Sequence, residues 1–285
     1  MPHIQVLDLG RLDYATALQL QQTLAELRKA GSIADTLLLV EHTPVITLGR
    51  NAQQRNILAS AEQLTERGIE VFETNRGGDV TFHGPGQLVG YPIVDLRALP
   101  QTAEGKRIGA IEFVRRIEET LIRALADFGI AGQRVAGSTG VWTVPSASGP
   151  HSGGTEKKLA AIGIHISRGV TSHGFALNVT SDLDHFKLIV PCGIADKPVT
   201  SMALEAPAHF AAKLNLENVA QAVTRQFGNV FGVQVLWLES LDQLLPKDER
   251  RPAEPQMDDR NREPEELKKM REELERAPRE DVHWA

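Results

Sequence analysis

The sequence is poor in several things that common protein classes need. It holds a single cysteine, so neither an internal disulfide framework nor a cysteine-based zinc cluster can form. Aromatic residues make up 5% of the 285, too few for a base-stacking nucleic-acid surface. There is no basic excess either: 31 Lys+Arg stand against 37 Asp+Glu, a net charge of −6, where a binder of phosphate backbones leans the other way. No apolar run approaches the roughly 20 residues of a membrane helix. The opening MPHIQVLDLG lacks the basic start and long apolar stretch of a secretory signal. A cytoplasmic protein with no nucleic-acid or membrane partner is expected.

Familiar motifs are missing too. GxxxxGK[ST], HExxH and GxSxG do not occur, and Gly84–Gly90 spaces its glycines GxGxxxG, one residue too long for a dinucleotide fingerprint. The nine histidines show no metal-ligand spacing. Neither a metal nor another cofactor is expected.

What is present divides in two near Pro246. From there to Ala285, 23 of 40 residues are charged and five are proline. So polar a segment cannot bury enough apolar surface to offset its ordering entropy, and residues 246–285 read as a solvated tail, disordered or partly helical. Within it, Leu267, Met270 and Leu274 fall at i, i+3, i+7.

Hydrophobic residues make up 41% of the whole chain, enough for a sizeable core, and residues 1–245 read as one domain. Asp13 is an expected N-cap for a helix with Ala17, Leu20, Leu24 and Leu27 on one face and Gly31 as its stop. Strands are expected at Thr36–His42 and Val45–Gly49. A helix over Ile108–Phe128 places Ile108, Ile111, Phe113, Ile117, Leu121 and Leu125 on one side. Leu159–Ile166 and His173–Val179 read as neighbouring strands, followed by a helix over Leu216–Phe231 and a strand at Val233–Trp237. The strands do not alternate regularly with helices, so a doubly wound parallel sheet is not expected; an α+β class is. The Gly-, Ser- and Pro-rich stretch between Trp142 and Lys158 reads as a loop, a plain insertion or a lid.

Two features carry chemistry. In RGGDVTFHGPGQLVGYP (Arg76–Pro92) glycine pairs bracket a short strand, and His83 sits where strand meets turn. Either a ligand approaches the backbone at Gly77-Gly78 or the segment is a glycine-rich hairpin. In LIVPCGI (Leu188–Ile194) the lone thiol, Cys192, follows a short apolar strand and lies between Pro191 and Gly193. A nucleophilic thiol needs a nearby cation or base, since it otherwise titrates near ~8.5. Lys158, His83 and His173 are the candidates, and spacing alone leaves a catalytic and an inert cysteine both open.

Taken together and in order, RGGDVTFHGPGQ, KLAAIGIHI, HGFALNV and DLDHFKLIVPCGI…VTSM resemble the lipoyl(octanoyl) transferase family, over roughly Ile4 to Leu238. The resemblance implies a biotin/lipoate protein ligase-like fold, a mixed β-sheet with flanking helices around a tunnel for a medium-length acyl chain. It implies transfer of octanoyl from acyl carrier protein to a lysine of lipoyl domains on 2-oxoacid dehydrogenase E2 subunits and the glycine-cleavage H protein. Carried over by motif, Cys192 is the nucleophile and Lys158 its partner. Arg76, Gly77, Gly78, Asp79, Val80, Thr81, Phe82 and His83 line the acyl site. Ala161, Ile162 and Gly163, with Gly174, Phe175 and Ala176, contact substrate. The rivals are an ATP-dependent ligase of the same fold and a carrier-binding module without catalysis.

Thioester-to-amine transfer runs downhill, in keeping with the missing P-loop, and a thiol can take the acyl group by exchange. Lys158 as ammonium favours the thiolate. Amides near Gly193 or Gly77-Gly78 are expected to stabilise the oxyanion. Because the chain is net negative, an acidic carrier needs a local basic patch, for which Arg50, Arg55 and Arg76 are the candidates.

Overall fold

The computed structural model describes residues 2–101, 105–145, 155–191 and 197–245. Eleven strands are found there: β1 (His3–Leu12), β2 (Thr36–His42), β3 (Val45–Leu48), β4 (Glu70–Glu73), β5 (Val80–His83), β6 (Gln87–Ile93), β7 (Gly132–Val135), β8 (Ser138–Thr143), β9 (Lys158–Ser167), β10 (Val170–Asn178) and β11 (Gln234–Trp237). The helices are α1 (Tyr14–Lys29), α2 (Ala61–Glu66), α3 (Ala110–Ala126), α4 (Met202–Glu205), α5 (Leu216–Phe231) and α6 (Leu241–Leu244). Eight strands form one mixed sheet in the order β11-β1-β2-β6-β10-β9-β8-β7, and β4-β3-β5 form a second, small one. Pairing is parallel between β1 and its two neighbours and antiparallel across the rest of the large sheet.

Local sequence explains the main helices. Asp13 caps α1, its carboxylate accepting from the Thr16 N–H at 2.9 Å, and Gly31 turns the chain away with φ +77°. In α3, Phe113, Ile117, Leu121 and Leu125 are all fully buried. Ile111 is not: it is 80% exposed, because two residues before Phe113 is about 200° around a helix. Its expected place on the buried face is therefore wrong. Helix α5 packs with α3 against one face of the large sheet, around Phe227, Phe231 and Phe113. On the other face α1 packs Leu20 and Leu24 against Leu38, Val89 and Tyr91. A third cluster fills the small sheet with Ile46, Val80, Phe82, Phe186 and Ile189.

The approach to Cys192 also differs from expectation. Leu183–Leu188 is a 3-10 helix, and only Ile189 makes a bridge, to Ile57. Asp182 caps that turn through the Asp184 N–H, so a local side-chain bond outcompetes the strand its apolar tail suggests.

Candidate active site

The sequence makes one face of the large sheet almost bare. Alternation along β10 sends Phe175 and Leu177 into the core with α3 and α5, and leaves Gly174, Ala176 and Asn178 on the opposite face. Register then aligns Gly174 with Gly163 and Ala176 with Ala161 on β9, and Ala176 with Val89 on β6. Four small residues thus floor a trough, with the small sheet above it. Alternation along β5 works the same way: Val80 and Phe82 turn into the cluster beyond, while Thr81 and His83 face the trough. Between the sheets lies a cavity of about 320 Å³.

Twelve of the residues expected in the site line this space: Arg76, Gly77, Gly78, Asp79, Thr81, His83, Lys158, Ala161, Ile162, Gly163, Gly174 and Ala176. Phe175 touches it too, yet its ring is 2% exposed and belongs to the core behind the sheet. Val80 and Phe82 lie outside the lining. Cys192 and Gly193 lie outside the described residues.

The glycine loop is held close to the sheet. The Gly77 N–H donates to Ile164 O at 3.0 Å, which occupies that amide and removes it as an oxyanion donor. A Cβ on Gly163 would sit 2.5 Å from Gly77 O, so only glycine permits this approach. Arg76 is buried rather than a surface charge; its guanidinium donates to Thr47 Oγ1 at 2.9 Å and Thr47 O at 2.6 Å. It therefore leaves the expected basic patch, whereas Arg50 and Arg55 are both exposed. Asp79 is a brace as well, accepting from Asn56 Nδ2 at 2.7 Å and from the Val80 N–H at 2.7 Å.

A buried polar chain runs from this loop across the site. The Gln87 amide donates to Phe82 O at 3.2 Å and to Asn178 Oδ1 at 2.9 Å, which leaves its oxygen to accept from His83 Nδ1–H at 2.7 Å. That fixes the tautomer of His83, whose Nε2 faces Thr47 Oγ1 at 3.4 Å. Asn178 Nδ2 in turn donates to Thr200 O at 3.0 Å. Burial lowers His83 to about 3, with nearby His42 adding to the effect, so it stays neutral and positions its neighbours. His173 is lowered to about 3 by burial and by Arg76; it sits at φ +54° with Nε2 2.6 Å from Asn75 Oδ1. Neither histidine fits a cation that would activate a thiol.

Lys158 does. It is 7% exposed, opens β9, and its ammonium lies 5.0 Å from the centre of the Trp142 ring. Its backbone is clamped by the chain that follows residue 196: the Lys158 N–H donates to Pro198 O at 2.8 Å, and the Thr200 N–H to Lys158 O at 2.9 Å. On the other side the Val190 N–H donates to Asn56 O at 2.7 Å. Of the described residues on either side of the lone thiol, Val190 is thus tied to Asn56 and Pro198 to Lys158. Lys157 points elsewhere, into an ion pair with Glu205 at 3.0 Å.

Four groups went unnoticed in the sequence: Tyr14, Tyr91, Gln87 and Asn178. The signal was there for the first two, since the chain has only two tyrosines and both line the cavity.

The site is thus a trough between two sheets, floored by small residues and with buried Lys158 in its lining. The model of the lipoyl protein ligase A/B catalytic domain family matches residues 13–228. The octanoyltransferase of Koribacter versatilis (strain Ellin345) is 62% identical over 250 residues, 88% of this chain and 93% of that protein. The octanoyltransferase of Acidobacterium capsulatum is 59% identical over 244 residues, 86% and 96% of the two chains. Among solved structures, a lipoate-protein ligase A bound with ATP superposes with a TM-score of 0.62 at 13% identity, covering 85% of this chain and 92% of that one. An archaeal bi-partite lipoate protein ligase from Thermoplasma acidophilum gives 0.59 at 15% identity, with 84% and 87% covered. These two share the fold. The chain belongs to the lipoyl protein ligase A/B catalytic domain family, and within it to the octanoyltransferases.

Proposed function

We propose that octanoyl passes from acyl carrier protein to Cys192 as a thioester, and from there to the lysine of a lipoyl domain. The acceptors are lipoyl domains of 2-oxoacid dehydrogenase E2 subunits and the glycine-cleavage H protein. The observation that carries this reading is the double backbone clamp between Lys158 and Pro198–Thr200, which ties the lysine to the end of the cysteine segment at a cavity floored by small residues. In the first step the thiolate of Cys192 attacks the carrier thioester, and the carrier thiol leaves with a proton from Lys158. In the second the acceptor amine attacks, gives a proton back, and frees Cys192. Residues 1–245 carry the activity, and 246–285 are dispensable for it.

The test is covalent. Incubated with octanoyl-carrier protein and no acceptor, the enzyme should gain about 126 Da, labile to hydroxylamine, and Cys192→Ser should gain nothing. Octanoylation that requires ATP, or a Cys192→Ser variant with most of the wild-type rate, would replace this reading with a ligase mechanism.

A further inference from the structure

The lining of the cavity runs from exposed to fully buried residues. Asn51, Gly78, Gly137 and Thr139 are exposed around the mouth, and Lys158 lies just inside. Tyr14 and Tyr91 are among the most buried residues of the lining, 2% and 4% exposed, and are its two large phenol rings. Tyr14 starts α1 and Tyr91 lies in β6, so two elements that pack on each other close the lining there.

The closure is stiff. The Tyr91 hydroxyl donates to His42 Nε2 at 2.7 Å, and His42 Nδ1–H donates to Leu12 O at 3.0 Å. The Tyr14 ring meets those of His42 and Phe72 at 5.3 Å and lies parallel to His83 at 6.2 Å. Each ring is boxed in by others, so the wall has no room to swing aside. A chain with one carbon too many must buckle against it, and a shorter one leaves a dry void whose lining lacks partner atoms.

We infer that Tyr14 and Tyr91 form the fixed end wall of the acyl pocket and set the number of carbons the enzyme accepts. The inference rests on the reading that this cavity holds the acyl chain. A single methylene in such a pocket is worth roughly 10-fold or more in kcat/KM.

The experiment compares carrier-protein thioesters of six, eight, ten and twelve carbons. Tyr14→Leu and Tyr91→Leu should each raise the ratio of ten-carbon to eight-carbon kcat/KM by about 10-fold or more. Ala176→Val, which raises the trough floor without touching the wall, should shift preference toward six carbons. If Ala176→Val leaves the length profile unchanged, the cavity is not the acyl site. If it shifts the profile but both leucine variants keep the wild-type ratio, the wall is elsewhere. An arm on the wild-type protein is independent of variant folding: an octanoyl group with a diazirine at its terminal carbon should photolabel the peptides holding Tyr14 or Tyr91. Label confined to Asn51 or Gly77–Asp79 would overturn the proposal.

Discussion

Lys158 and Trp142 face each other across β9 and β8, with the ammonium 5.0 Å from the centre of the indole ring. Lys197, the first described residue after the cysteine segment, lies 5.1 Å from the same ring. An aromatic face attracts a cation without removing its charge or its protons. The buried indole thus has two lysine ammonium groups against it, of which Lys197 also pairs with Glu156 at 3.5 Å.

Lys158→Ala should lower kcat by about 10²–10⁴-fold, the usual range for losing a general acid–base group, and should slow alkylation of Cys192 by iodoacetamide at neutral pH. Lys157→Ala should leave kcat within about threefold, because its side chain pairs with Glu205 and does not line the cavity. Equal losses in both variants would assign the motif's lysine to the wrong position.

Stability should fall below pH ~6.5 through the buried histidines. Burial holds His42 near 4 and His83 and His173 near 3, whereas unfolded each returns to 6.5. Above that value neither state binds the proton. Below it the unfolded chain does and the folded chain does not, so stability drops by up to ~1.4 kcal/mol per pH unit for each histidine. The window runs from 6.5 down toward the folded values. Urea midpoints between pH 7 and 5 measure it, and His42→Gln should flatten the slope by about a third.

Truncation after Leu245 should leave both the melting temperature and transfer to a free lipoyl domain nearly unchanged. Leu241 and Leu244 are buried against α1's side of the sheet, so a cut before α6 should destabilise the domain by about 2 kcal/mol or more. A large drop in melting temperature from the first cut would make the tail part of the fold.

Charge reversal at Arg50 or Arg55 should slow association with an acidic carrier protein, mainly in the on-rate, with added salt masking the difference. Both side chains are exposed, and Arg50 stands beside the glycine loop with its N–H bonded to Arg76 O at 3.0 Å. Surface plasmon resonance at two ionic strengths decides it. An unchanged on-rate at low salt in both variants would leave shape alone to guide docking.

The helices and the β9–β10 pair were legible because their patterns are local: a carboxylate cap at Asp13, apolar residues every three or four positions in α5, apolar runs bounded by turn residues. β6 was harder, since Gly90 and Pro92 interrupt it and read as breakers. There the glycine is required by its neighbour: a Cβ at Gly90 would lie 2.2 Å from the Phe175 ring. The motif RGGDVTFH marked the site, but not that Val80 and Phe82 turn away from it, which follows only from the β3–β5 pairing. Gln87 and Asn178 escaped notice because an amide's role depends on partners 91 residues apart in sequence. The tail and the loop at 146–154 fall outside the described residues.

The large sheet is open, and both of its borders are brief. It ends in β11 on one side and β7 on the other, each four residues long. A bordering strand offers unpaired amides and carbonyls to any passing chain, and the length of that offer sets how firmly a stranger can add on. The six strands between them, ten-residue β1 and β9 included, are sealed from such pairing. Short hems on a wide cloth let the chain keep a broad cavity between its sheets while giving its own copies little to stitch themselves onto.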